Sequence, residues 1–147
     1  MGAVPSNRTL KAMNALNRMA QRLSGGRVGW ALRGMPVLEL TTTGRKSGQR
    51  RTTLLTSPVQ VGDGYIVVAS RGGDDTHPAW FLNLRDNPSV IVGVGGGPAR
   101  PMTARVATAS ERAELWPRVT ARYPHYAAYQ ERTAREIPLV YLTPDAN

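Results

Sequence analysis

A chain of 147 residues with a formal net charge of +9 and 41% apolar residues fits one globular domain that seeks anionic partners. It has no cysteine, which excludes a disulfide framework and any cysteine-held zinc or iron–sulfur centre. No apolar run approaches the ~18 residues of a membrane span, and the N-terminus lacks the long apolar stretch of a secretory signal.

Only Lys11 and Lys46 are lysines, so the positive charge is almost all arginine. Arginine favours planar, bidentate contacts with phosphate or carboxylate, and a GC-rich genome produces the same bias. In chain order, residues 8–23 are predicted helical. Met13, Leu16, Ala20 and Leu23 share one face, while Arg8, Lys11, Arg18 and Arg22 fall mainly elsewhere. Such a helix either packs on the domain or lies on an anionic bilayer. Gly25 suits its C-cap. The segment 1–35 then precedes a domain of 36–147, with Trp30, Leu32 and Met35 in a stretch that reads equally as short helix or loop.

Strands are predicted at 36–43, 51–61, 65–70, 89–95, 99–108 and 137–143. Gly62-Asp63-Gly64 and the Gly95–Pro98 run mark tight turns. A helix follows from His77 to about Arg85, capped by Asp75 or Thr76. Thr108 and Glu111 form a capping-box signature for the next helix, which Pro117 should kink or divide. Pro124 opens a last helical stretch to about Arg135. About six strands with three or four helices, joined as antiparallel neighbours, argue against a doubly wound parallel sheet. A small closed or partly closed barrel disposes of the strand edges best.

Residues 38–57 carry the most information. They read as strand, basic turn, strand, with Arg45, Lys46 and Ser47 at the tip and Arg50 and Arg51 behind. Cations, a hydroxyl and backbone N–H groups together suit an anion. A solvated basic turn explains the same residues equally well. Other chemistries fall away. Gly44–Gly48 lacks Walker spacing, and Gly93–Gly97 lies between strands rather than before a helix. His77 beside Asp74 and Asp75 is better explained by a helix N-terminus than by a metal. No strong nucleophile or paired carboxylates stand out, so hard chemistry belongs to a cofactor. Tyr123, Tyr126 and Tyr129 recur every three residues and on one helix would line a broad face. They are either core or the walls of a pocket for a flat ligand.

Taken together, Leu40–Gln49, Val68–Gly73, His77–Leu84, Asn87-Pro88, Leu115–Pro117 and the run from Tyr123 to Tyr129 resemble the deazaflavin (coenzyme F420)-dependent nitroreductase and quinone reductase family. The resemblance covers about residues 36–144. It implies an α+β, mainly antiparallel fold, a split β-barrel of the FMN-binding kind with peripheral helices. It also implies coenzyme F420 as cofactor, with FMN the less favoured alternative. Arg45, Lys46 and Ser47 would hold the cofactor's phosphate and acidic tail. Arg51, Thr52, Thr53, Leu54, Leu55, Thr56 and Ser57 would run beside the ring. Val68, Ala69, Ser70 and Arg71 would form a second wall, and Ala79, Trp80, Phe81, Leu82 and Asn83 a third. Tyr126 would lie over the ring, with Tyr123, Tyr129 and Thr56 bordering the substrate.

The implied reaction is hydride transfer from reduced coenzyme F420 to a quinone, an enone or a nitro compound. Ser70 and Tyr126 are the candidate catalytic residues, stabilising the oxyanion by hydrogen bonding. A lipophilic quinone acceptor, a cytoplasmic location and peripheral attachment to the inner membrane face through residues 8–23 follow as expectations. A non-catalytic deazaflavin carrier and a basic nucleic-acid-binding module are the alternatives. The second lacks any recognised motif, and no nucleic acid is expected. Arg50 and Thr53 stand where the family commonly has proline, which predicts a looser start to the second strand. Thr56 is small where some members carry an aromatic, which predicts a wider pocket.

Overall fold

Met35 and Val37 are buried at the start of a nine-residue strand, Leu38 and Leu40 further along it. Adjacent buried residues on a strand point to opposite faces. This strand therefore serves two apolar clusters, and the fold is built around that double duty. The computed structural model describes residues 31–145. The predicted helix at 8–23, its Gly25 cap and Trp30 lie outside the described residues.

The described strands are β1 (Ala31–Leu32), β2 (Met35–Thr43), β3 (Arg50–Thr56), β4 (Val59–Val61), β5 (Gly64–Val68), β6 (Ser89–Val94), β7 (Arg100–Val106) and β8 (Leu139–Pro144). The helices are α1 (Ala79–Asp86), α2 (Ala109–Arg122) and α3 (His125–Glu131), with a 3-10 turn at Arg71–Gly73. Every pairing is antiparallel. The ladder runs β3-β2-β6-β7-β8-β5-β4, and β1 adds to the start of β2. Its two ends, β3 and β4, are consecutive in the chain, so the sheet curls back upon itself.

That closure overturns the single strand expected over 51–61. Ser57 and Pro58 break it. Proline lacks the N–H that a continuing ladder needs. The Ser57 amide instead donates to Pro36 O at 3.1 Å. The Ser57 hydroxyl shares its one proton between Ile66 O at 2.7 Å and Val59 O at 2.9 Å. Replacing proline with Arg50 does not delay the strand: β3 begins at Arg50, opposite Thr43. The β6–β7 turn places Gly95 at φ 57° and Gly96 at φ 81°, closed by Gly97 N–H to Val94 O at 2.8 Å. Two successive positive φ values demand the glycines found there.

The helices also depart from expectation in detail. Helix α1 starts at Ala79 after Pro78, with no side-chain cap. Asp74, not Asp75 or Thr76, orders its approach, accepting from the Thr76 amide at 3.1 Å. Pro117 does not divide α2. The carbonyl it leaves without an N–H partner belongs to Ala113, which is exposed to solvent. Tyr123 is the C-cap of α2 and only Tyr126 and Tyr129 lie on α3, so the tyrosines do not share one helix.

One core fills the curled sheet with Leu38, Leu40, Val67, Phe81, Leu84, Val92, Met102 and Leu142. The other lies under α2 and α3, where Met35, Ile66, Val68, Leu115, Val119, Tyr123, Tyr126, Ile137 and Leu139 pack. Helix α2 is secured by the predicted box: Thr108 Oγ1 accepts from Glu111 N–H at 3.2 Å, and Glu111 accepts from Thr108 N–H at 2.8 Å. Thr108→Ala should lower stability by about 1 kcal/mol. The check is a urea unfolding midpoint; an unchanged midpoint would mean the box contributes nothing.

Candidate active site

The basic turn is closed by its own backbone. Gly44 N–H donates to Gln49 O at 2.7 Å, and Gly48 N–H to Gly44 O at 2.8 Å. Ser47 Oγ accepts from Gln49 N–H at 3.1 Å and sits over Gly44, where a Cβ would come within 2.7 Å of it. A side chain there would displace the Ser47 hydroxyl and crowd Gln49 O, 3.2 Å from the Cβ position. Helix α1 pins the turn from outside: Asn83 Oδ1 accepts from Arg45 N–H at 3.1 Å, and Asn83 Nδ2 donates to Thr42 Oγ1 at 3.2 Å. Asn83 and Thr42 are both buried. Among the described residues, the amides of Lys46 and Ser47 have no protein partner, and the side chains around them are exposed. Two open N–H groups between an arginine and a lysine are suited to an anion.

A second group gathers where α3 meets β3. The Thr56 and Tyr126 hydroxyls are 3.2 Å apart, and the single Tyr126 proton goes either to Thr56 or, when Thr56 donates, weakly to Met35 Sδ at 3.7 Å. His125 lies tilted against Tyr126 at 4.1 Å between ring centroids, with Tyr129 edge-on to both. Arg122 stands over Tyr123 and Arg132 over Tyr129, each at 5.4 Å. Burial pushes the Tyr126 phenol above its ordinary pKa of 10.0, and the bond from Thr56 offsets part of that. Tyr126 is therefore a neutral phenol across the physiological range. When it donates to Thr56, the Thr56 proton is left for a further acceptor.

The third group is the segment 69–77. Arg71, Gly72 and Gly73 are all left-handed, at φ 44°, 64° and 87°. Arg71 pairs with Asp74. Arg135 reaches in from after α3 and donates to Asp74 O, Ser70 O and Ala69 O at 2.7, 2.9 and 3.2 Å. It also lies 3.1 Å from His77 Nδ1. Arginine has no acceptor, so Nδ1 must accept and the proton sits on Nε2 of a neutral ring. Burial, then Arg135 and Arg85, lower the His77 pKa from 6.5. This accounts for His77 and Asp74 without a metal. Ser70 is buried, and its hydroxyl has no partner among the described residues. The 71–73 turn packs on α3: a Cβ on Gly73 would come within 2.6 Å of Tyr129 O.

Other expected residues hold the frame. Leu54, Ala69 and Phe81 are buried core side chains, and Leu55, Trp80 and Leu82 pack against the core. Those side chains leave mainly backbone to face a ligand. Ser57 is spent on the strand break. Thr52 pairs with Thr41 at 2.8 Å, Arg51 and Ala79 are exposed, Thr53 is half-buried, and Val68 is buried in the second core. Sequence reasoning missed His125 and Arg135. The signal for His125 was its place between Tyr123 and Tyr126; Arg135 gave none. A separate cleft of about 350 Å³, lined by residues that include Thr42, Arg50, Val90 and Asp145, lies away from the tyrosines.

The described residues thus form a curled antiparallel sheet with a basic turn at one end of β3 and a tyrosine–histidine cluster at the other. A family model for F420H(2)-dependent quinone reductase matches residues 13–144. An F420H(2)-dependent quinone reductase of Mycobacterium tuberculosis is 42% identical over 128 residues, which span 83% of each chain. A solved F420-H2 dependent reductase is 41% identical at a TM-score of 0.63, covering 73% of this chain and 93% of that one. HutZ, a haem storage protein of Vibrio cholerae, is 17% identical at a TM-score of 0.54, covering 86% and 89%; this likeness is of fold alone. The chain belongs to the F420H(2)-dependent quinone reductase family of oxidoreductases, and coenzyme F420 is the cofactor that membership implies.

His125 is also held below its ordinary pKa of 6.5, by burial and then by Arg33. Depressed imidazole pKa values mean that the unfolded chain takes up protons first as pH falls. Stability should therefore decline as pH drops below about 6.5, and less so in His77→Gln/His125→Gln. Glu111, held at about 2 by Arg105 and the Thr108 amide, loses its share only below 4.5. Denaturant midpoints at a series of pH values between neutrality and the carboxylate range isolate the imidazoles. Parallel profiles for the two proteins would contradict this account.

Proposed function

We propose that this chain reduces a lipophilic quinone with a hydride taken from reduced coenzyme F420. The observation that carries the proposal is the family match across residues 13–144. The donor set fits the cofactor's chemistry. Arg45 and Lys46, with the open amides of Lys46 and Ser47, suit a phosphate and acidic tail. The unpartnered buried hydroxyl of Ser70 suits a polar ring edge or the acceptor's oxygen. When bound, the reduced deazaflavin supplies a hydride and favours two-electron over one-electron chemistry.

The chain's own work is binding, orientation and charge stabilisation. Backbone from 51–57, Val68–Arg71 and Ala79–Asn83 would wall the ring, with Tyr126 over it. Ser70 and Tyr126 would hydrogen-bond the quinone oxygen as negative charge grows there, Tyr126 acting directly or through Thr56. Tyr123, Tyr129 and Thr56 would border the acceptor. Enones and nitro compounds pose the same electrostatic demand and fit the same mouth. Attachment of residues 8–23 to an anionic bilayer rests on their charge and apolar spacing alone. Co-sedimentation with phosphatidylglycerol vesicles tests it, and failure to sediment would remove it.

Mixing the protein with reduced coenzyme F420 and menadione should reoxidise the deazaflavin, followed by its absorbance. Binding without reoxidation would leave only a carrier. Arg45→Ala/Lys46→Ala should weaken cofactor binding and make what remains less salt-sensitive, because two screened contacts are gone. Tyr126→Phe should cut turnover roughly ten- to a hundredfold while moving cofactor affinity much less. An unchanged rate would remove Tyr126 from the chemistry.

A further inference from the structure

We propose that Arg135 is a positioning residue for the reaction, setting where the Ser70 side chain leaves the backbone by gripping both peptide planes that flank the Ser70 Cα. The inference rests on the reading of Ser70 as part of the cofactor and acceptor site.

The carbonyl of Ala69 belongs to the peptide before Ser70, and the carbonyl of Ser70 to the peptide after it. One guanidinium donates to both, at 3.2 and 2.9 Å. Holding the two planes fixes φ and ψ of Ser70, at −82° and −36°, and hence the direction of its Cβ. A third donation, to Asp74 O at 2.7 Å, spans the left-handed run that follows. Three consecutive left-handed residues, one of them Arg71, do not persist unless their surroundings over-determine them.

Arg135 is itself anchored. Its amide donates to Thr133 Oγ1 at 3.3 Å, and its carbonyl accepts from Gln130 Nε2 at 2.7 Å. Gln130 Oε1 in turn accepts from Ile137 N–H at 2.9 Å and from Arg112 at 3.0 Å. The guanidinium meets no carboxylate in these contacts; it spends its fork on three carbonyls and a neutral imidazole. A lysine keeps the charge but cannot reach carbonyls on both sides of one residue with a planar fork.

The test is a double-mutant cycle on the full chain with Ser70→Ala, Arg135→Lys and the two combined, and Arg135→Gln as a second probe. Melting temperature, affinity for coenzyme F420 and single-turnover oxidation of the reduced cofactor by menadione are measured. The expectation is a folded Arg135→Lys protein whose hydride-transfer rate falls on the order of ten- to a hundredfold. The combined variant should be no slower than Ser70→Ala alone, because Arg135 acts through Ser70. A purely structural role would instead let the two losses multiply, and that result overturns the proposal. A silent Arg135→Lys beside a damaging Ser70→Ala also overturns it while leaving the site reading intact. A silent Ser70→Ala removes the site reading and this role with it. Recovery of no folded protein from either Arg135 variant would assign the residue to the fold and overturn the proposal.

Discussion

The structure depends on the bonds made by Ser57. Its amide holds Pro36 O on β2, while its hydroxyl holds Val59 O on β4 and Ile66 O on β5. One residue therefore ties the two ends of the sheet together at the point where the chain leaves one for the other. Ser57 is buried, so the hydroxyl makes these bonds in a low-dielectric setting where leaving the carbonyls unpaired would be costly. Thr56, one residue earlier, is consequently delivered against Tyr126. Arg50, at the far end of the same strand, delivers the basic turn.

The site divides its labour by rigidity. The basic turn is exposed at its tip but fixed at its root by the buried Asn83. The 69–77 segment is strained and is held by a guanidinium from a distant part of the chain. Helix α3 closes against that segment and carries the tyrosines and His125 with it. Basic turn, 69–77 segment and α3 are thus separate pieces of chain carried by one curled sheet. Among the described residues, arginines contact backbone carbonyls and ring faces more often than carboxylates, as expected of a chain with 19 basic and 10 acidic residues.

Much of this was legible in the sequence. Alternating apolar residues and glycine turns located the strands, and Thr108 with Glu111 marked the start of α2. The combined motifs pointed to the cofactor of the family to which the chain belongs. What stayed hidden depended on distant partners. Thr-Ser-Pro-Val reads as strand by propensity; the bonds that break it there come from Pro36 and Ile66. The resemblance places Asn83 beside the ring, and its bonds to Arg45 N–H and Thr42 come from outside its helix, as do those of Arg135 to the 69–74 backbone. The tyrosine series is different, because Pro124 disfavours the helical conformation at Tyr123 and so a continuous helix through Tyr123 and Tyr126. Their gathering comes from the corner between α2 and α3, not from helical spacing.

The central claim is that this sheet and turn hold a deazaflavin with a charged tail. Its most direct test is an equilibrium titration of the full chain with oxidised coenzyme F420 and, separately, with FMN, followed by quenching of Trp80 and the other tryptophans. The account predicts saturable binding of coenzyme F420 that weakens with salt and is weaker and less salt-sensitive in Arg45→Ala/Lys46→Ala, with FMN binding much more weakly. Tighter binding of FMN, or affinity for coenzyme F420 that ignores both salt and the two basic residues, would contradict it.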